Sequence, residues 1–170
     1  KLRAINGEYI RMLTPEKFLE HATPYIRETV KREDVDLSKI SALLQNRTEV
    51  FTDIPEQVDF IDEMPDYDLA LYENKKMKTN CDTALDALER SLPVMEAIED
   101  WRFDVLHDEL FKLIADMGVK NGYILWPVRV AISGKQFTPG GAFEIAEIIG
   151  KDETVSRMKR SIEMLKLISA

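Results

Sequence analysis

Leu125-Trp-Pro-Val-Arg-Val-Ala-Ile-Ser-Gly-Lys-Gln-Phe-Thr-Pro-Gly-Gly-Ala-Phe-Glu-Ile145 contains an apolar helix, one interrupting arginine, a Gly134-Lys135 turn and a second helix start at Thr138-Pro-Gly-Gly141. Extended back to Gly122, the first part is apolar almost all round as far as Ser133. A helix apolar on every side is a buried one, which needs other helices packed around it. The spacing therefore predicts a central helix, interrupted at Pro127 because proline donates no amide to the ladder.

Helical periodicity dominates on both sides of this stretch. Lys1 to Met12 reads as a helix with Leu2, Ile5, Tyr9 and Ile10 on one side. Thr14-Pro15-Glu16-Lys17 is a helix start, with Thr14 as N-cap and Pro15 at the first position. The helix it opens carries Phe18, Leu19, Ala22, Tyr25, Ile26 and Val30. Asp36 can cap a third, holding Leu37, Ile40, Leu43 and Leu44, and Pro55 opens a short segment with Val58, Phe60 and Ile61. From Met64 to Lys78 the pattern breaks, with Pro65, several acids and the alternating run Tyr67 to Tyr72, read as a connector with a short extended piece. Helical period returns from Thr79 to Ile98, with a bend expected at Pro93, and again from Phe103 to Met117, closed by Gly118. Gly141 to Ile149 and Asp152 to Ile168 complete the chain. The class is all-α, with about eight or nine helices. The divisions are residues 1–13, a first helical subdomain 14–66, a connector 67–78 and a second helical subdomain 79–170.

A chain of 170 residues can bury a real core in one or two compact units. No apolar run approaches the roughly 20 residues that span a bilayer, and no basic-apolar leader opens the sequence. Cys81 is the single cysteine, which excludes an intrachain disulfide and a cysteine-held metal and fits a reducing, cytoplasmic setting. The chain opens at Lys1 inside a helical pattern, so a piece of a longer polypeptide is expected. Its net charge of −8 argues against general affinity for nucleic acid. From Gly118 onward, however, eight Lys and Arg stand against five Asp and Glu, so that third carries +3 and the rest −11. Such a distribution suits a protein that meets a polyanion on one restricted face, and equally an unevenly solvated surface.

Enzyme constellations are absent from the sequence. His21 and His107 lie far apart, each among charged neighbours, and read as surface histidines. Cys81 near a helix start has no basic residue three or four positions on and reads as inert. No glycine-rich phosphate loop, zinc motif or serine elbow occurs. The binding features are better. Arg129 in an apolar helix must pair with a buried acid or reach a ligand, because an uncompensated buried charge costs several kcal/mol. Thr138, Pro139, Gly140 and Gly141 open a helix whose first amides lack covering side chains, which admits close approach of a nucleic-acid backbone or serves as a plain cap. Lys135, in the turn before, can reach a phosphate. Trp126 either stacks a base or belongs to the core.

Taken in order, these residues resemble a bacterial glutamyl-tRNA synthetase. Lys1-Leu-Arg-Ala-Ile-Asn-Gly-Glu-Tyr-Ile10 is similar to that family's Lys-Leu-x-Trp-x-Asn-x-x-Tyr-Ile segment, with Ala4 at the Trp position. Gly118-Val-Lys-x-Gly122, Pro127-Val-Arg129, Gly134, Thr138-Pro-Gly140, Phe143-Glu-Ile145 and Gly150-Lys151 follow its pattern in sequence. The resemblance implies two helical subdomains that clasp the anticodon loop of tRNA(Glu), after a stem-contact region ending at residue 13. The family's catalytic half, with its His-Ile-Gly-His and Lys-Met-Ser-Lys-Ser motifs, would precede this region in the same polypeptide and use ATP and Mg. No cofactor is expected within the chain itself, and a monomer is expected. Lys75-Lys-Met-Lys78 resembles the second motif in outline but lacks the serines, and reads as a solvated linker.

Pairing Pro55-Glu56 with the family's Pro-Glu places Arg47 where discriminating members read the third anticodon base, with Gln45 two positions away. A guanidinium fork suits cytosine's acceptors, whereas guanine presents a donor on that edge. Thr138 and Pro139 correspond to the family's contact with the first anticodon base, and Arg129 to an arginine holding the loop. The implied RNA-binding set is Arg47, Arg129, Lys135, Thr138, Pro139 and Gly140. The competing reading is an all-helical protein-interaction scaffold with no RNA role, which would present an exposed apolar groove.

Overall fold

The structure is a computed structural model that describes residues 2–169, and all their side chains except those of Ala4 and Ile5. Lys1 and the expected placement of the Ile5 side chain lie outside the described residues. Among those residues the regular structure is helical, with one isolated bridge between Asn74 and Thr79. The chain divides into two units, one of residues 1–63 with 137–140, the other of residues 64–136 with 141–170.

The first unit holds α1 (Leu2–Met12), α2 (Pro15–Ile26), α3 (Leu37–Leu44) and α4 (Ile54–Val58), the last entered through a single 3-10 turn, Phe51–Asp53. Its starts follow the expected chemistry. The Thr14 hydroxyl accepts from the Lys17 amide at 3.2 Å, and the Asp36 carboxylate accepts from Ser38 and Lys39. Helix α2 stops at Ile26, short of the expected Val30, after Pro24 has removed an amide from its last turn; the Val30 amide still reaches the Ile26 carbonyl at 2.9 Å. The core forms where α2 meets α3 and α4: Phe18, Ala22, Ile26, Ile40, Leu44, Ile54 and Val58 are all buried. Phe51 stacks on Phe18 and Tyr25, and the exposed His21 ring leans on it from outside. Of the described side chains on the expected apolar side of α1, Ile10 is buried and Leu2 and Tyr9 are exposed. Polar contacts hold that helix: Arg3 pairs with Glu49 and Asp53, and the Gln45 amide donates to the carbonyls of Ile10 and Leu13 at its C-terminal end.

The second unit is built around α5 (Cys81–Ala97), α6 (Phe103–Met117), α7 (Asn121–Ser133), α8 (Ala142–Ile149) and α9 (Lys151–Ser169). Helix α5 packs on α9, α7 and α6, and α7 packs on α5, α8 and α9. The predicted central helix is therefore α7, with Ile124, Val128, Val130, Ala131 and Ile132 fully buried. It runs unbroken through Pro127. Burial of its aliphatic residues at about 25 cal/mol per Å² of apolar surface offsets the roughly 3 kcal/mol that an interior proline costs. Helix α5 likewise runs on past Pro93.

Residues 67–78, expected as a connector, are anchored in this unit. Leu69–Tyr72 forms a 3-10 turn in place of the expected extended piece. Tyr72 is fully buried, its hydroxyl 2.7 Å from that of Tyr67, which in turn meets Ser161 of α9. Alternation of apolar residues over so short a run fits either conformation, and the buried Tyr72, bonded to the half-buried Tyr67, selects the tight turn.

Candidate nucleic-acid interface

The turn between α7 and α8 collects most of the residues marked out in the sequence. Gly134 ends α7 with φ +66°, its amide returning to the Val130 carbonyl at 2.7 Å. That left-handed step folds the next residues back beside α7. Arg129 exploits the return. Its guanidinium donates to the carbonyl of Gln136 at 2.6 Å and of Lys135 at 3.3 Å, and lies 4.7 Å from the centre of the Trp126 ring. The sequence alternatives are a buried acid or a ligand; two backbone carbonyls and an indole face supply part of the compensation. Trp126 is half-buried, and its indole N–H donates to the Leu71 carbonyl at 2.9 Å. It is thus a structural anchor that still offers part of a ring face.

Thr138 and Pro139 depart from expectation. Both are buried, Thr138 only 8% exposed, and the Thr138 hydroxyl is turned onto the Gly140 carbonyl at 2.8 Å. Helix α8 begins at Ala142, so Thr138-Pro-Gly140 forms the approach to the helix and not its first turn. The Gly141 amide is already taken by the Glu144 carboxylate at 3.0 Å. Gly140, at φ +80°, is half-exposed.

Within the first unit, which includes residues 137–140, Arg47 donates through Nη1 to the Thr138 carbonyl. Arg47 is otherwise exposed at the end of α3, so the rest of its five-donor fork faces outward. Gln45 is committed to the end of α1. Arg47 and Thr138 are brought together in the first unit, and Arg129 and Lys135 in the second. Phe137, which the sequence reading passed over, is 74% exposed. An aromatic between polar neighbours in a Gly/Pro-rich turn was the available signal, since such a ring is a ready stacking platform.

Burial raises the Cys81 thiol pKa, and Glu73, Asp82 and Asp68 add to it, so the thiolate is disfavoured. His107 is half-buried among Phe103, Phe111 and Phe143, its ring centre 4.4 Å from that of Phe111. That is an aromatic cluster more than the surface position expected of it. No group of three metal-competent side chains forms, and no helix is long and apolar enough to cross a membrane, among the described residues.

Among the described residues the fold is helical, with arginines set beside ordered turns. Residues 17–162 match the family model of the anticodon binding domain, and the chain belongs to that family. It is similar to a glutamate–tRNA ligase of Clostridium tetani, 55% identical over 166 residues that make up 98% of this chain and 34% of that protein. A glutamate–tRNA ligase of Clostridium acetobutylicum is 54% identical over the same shares. The chain spans about a third of the length of these curated relatives. Its fold superposes with TM-score 0.80 on a crystal structure of a glutamate tRNA ligase from Elizabethkingia meningosepticum in complex with its amino acid, at 23% identity over 96% of this chain and 32% of that one.

Proposed function

We propose that this chain is the tRNA-reading part of a glutamate–tRNA ligase. It binds the anticodon loop of tRNA(Glu) so that a catalytic domain in the same polypeptide, using ATP and Mg, can glutamylate the acceptor end. The observation that supports this most is the 55% identity maintained across nearly the whole chain with relatives named for that reaction. Geometry adds to it. Arg47 keeps most of its fork outward beside the Thr138 turn, where it can satisfy cytosine's acceptors and meet guanine donor to donor. Because Gln45 is occupied by α1, Arg47 is the better placed of the two to read a base.

Arg129 and Lys135 hold the loop phosphates. Thr138 and Pro139 act through the backbone and by shaping the turn, being buried, while Gly140 leaves it open to close approach. The domain works as a cytoplasmic monomer. A scaffold reading looks to the hollow beside Trp126, Leu125 and Phe143, whose lining is mostly apolar, with Asn121 and Arg129 the polar side chains.

Binding of the chain to tRNA(Glu), and to the same tRNA with its anticodon replaced, decides between the readings when measured across a salt series. The expected result is a steep salt dependence with at least about tenfold weaker binding of the swapped tRNA. Equal, salt-insensitive binding of both would remove the proposal. The chain alone is expected to give no glutamate-dependent ATP–pyrophosphate exchange, and such exchange would show that the catalytic step is not confined to another domain.

A further inference from the structure

Lys75-Lys-Met-Lys78 is not the loose linker that its composition suggests. The turn is closed by paired backbone hydrogen bonds between Asn74 and Thr79, both 3.1 Å, and the Asn74 side chain accepts from the Met77 amide at 3.1 Å. Lys78 is held at φ +56°, a left-handed conformation rare for a lysine, which the closed turn imposes. Met77 then seats the turn on α7. A Cβ added at Gly122 would stand 2.5 Å from the Met77 sulfur and 3.2 Å from its Cβ and Cγ, so the seat exists because residue 122 has no side chain.

This docking gathers charge. A hollow of about 220 Å³ is lined by Lys76, Met77, Lys78, Lys120, Gly122 and Tyr123. A second hollow, of about 340 Å³, shares Met77 and Gly122 with it and is lined by Trp126, Arg129 and Phe143 among others. Four cations and no carboxylate line the two hollows, on a chain of net charge −8. Of the nearby acids, Asp86 is engaged with the Tyr123 hydroxyl and Arg90, and Glu144 with the Gly141 amide, while Asp68 and Glu73 line a different hollow that also touches Trp126. Among the described residues, no ion pair involves Lys76, Lys78 or Lys120, and all three are exposed. Lys120 also caps the start of α7, whose helix dipole adds positive potential at the same place.

We infer that this turn and the start of α7 form a second RNA contact, a sequence-independent phosphate seat in which Lys76, Lys78 and Lys120 hold the backbone of the bound tRNA away from the bases that Arg47 reads. The inference rests on the reading of the chain as a tRNA binder. RNA is the occupant the site fits, because three exposed lysines gathered beside Tyr123 on an acidic chain are what a phosphate backbone requires.

The test is the salt dependence of tRNA(Glu) binding by the intact chain and by Lys76→Ala/Lys78→Ala/Lys120→Ala. Each lost phosphate contact lowers the slope of log affinity against log salt by about 0.7–0.9. The triple variant is thus expected to lose roughly 2–3 from the slope and roughly tenfold or more in affinity, equally for the cognate and the anticodon-swapped tRNA. Gly122→Ala, which unseats Met77 while keeping every lysine, is expected to reproduce part of that loss. On the unaltered chain, bound tRNA is expected to shield Lys76, Lys78 and Lys120 from acylation, read by mass spectrometry. Unchanged slopes in both variants, or undiminished acylation of the three lysines, overturn the second seat while leaving anticodon reading intact. Failure of the unaltered chain to bind tRNA at any salt overturns both.

Discussion

Arg47 and Arg129 solve the same problem in different ways. Each gives N–H donors to backbone carbonyls, but Arg129, in the second unit, commits at least two of them and its flat face, whereas Arg47, in the first, donates to the Thr138 carbonyl and remains exposed. Under the proposed function, that difference leaves Arg47 the better placed of the two to read a base and Arg129 to hold the turn while meeting a phosphate. Arg47→Gln is expected to narrow the affinity gap between tRNA(Glu) and tRNA(Gln) by about 1–3 kcal/mol, with little change in salt dependence, since a guanidinium fork is replaced by an uncharged amide. Paired titrations of both tRNAs check this; an unchanged gap would reduce Arg47 to a prop for the Thr138 turn. Arg129 announced itself in the sequence as the one charge in an apolar run. Its partners did not, because carbonyls six and seven residues on come within reach only after the left-handed step at Gly134. Arg157 was missed for a related reason. It sits in an ordinary amphipathic pattern, yet it is 2% exposed and donates to the Ile132 carbonyl at 2.7 Å while pairing with Glu153.

Among the elements, α7 shows how much local sequence can specify. Its apolar circumference marked it as central, and its neighbours follow from having to cover it. Its C-terminal stop is equally local: a Cβ on Gly134 would both suffer the left-handed φ and stand 3.2 Å from the Pro65 carbonyl and the Tyr67 ring. Gly134→Ala is expected to cost about 1–2 kcal/mol, lowering the melting temperature by roughly 2–8 °C in a thermal melt. The link from α7 to α5 is polar, and it carries a pH signature. The Tyr123 hydroxyl donates to Asp86 at 2.6 Å. This bond, ahead of Arg90, holds the Asp86 carboxyl below its ordinary value of 3.8, while burial and the same carboxylate push Tyr123 up to about 12. Asp86 therefore adds stability above pH 3.8 that is lost as pH falls through its lowered value. Tyr123 adds stability below pH 10 that is lost as pH rises towards about 12. Tyr123→Phe should flatten the stability profile at both ends, and carbon-detected NMR titration should find Asp86 back near its ordinary value. What the elements concealed was long-range. Whether Thr138 and Pro139 face solvent depends on what their turn packs against, and the fate of Tyr67 and Tyr72 depends on Ser161, about ninety positions away; no periodicity within a segment encodes either.

For the molecule as a whole, an excess of negative charge must be reconciled with the proposed RNA ligand. The resolution lies in placement: the basic final third supplies Lys120, Arg129 and Lys135, while most carboxylates belong to the preceding sequence. Such a chain repels polyanions in general and accepts one only where its cations gather, so its association should be both selective and salt-limited. Binding of this kind stabilises the folded state by mass action, because an unfolded chain of net charge −8 has no reason to hold RNA. At free tRNA(Glu) one hundred times its dissociation constant, the gain is about 2.7 kcal/mol, or roughly 5–11 °C in melting temperature for a protein of this size. Anticodon-swapped tRNA at the same concentration should give a smaller rise, and both rises should vanish in about 0.5 M salt, where the screening length falls to a few ångströms. Differential scanning fluorimetry with the three samples side by side measures this directly. A rise that survives high salt would mean that apolar contacts dominate and that the cation-lined hollows are not where the ligand is held.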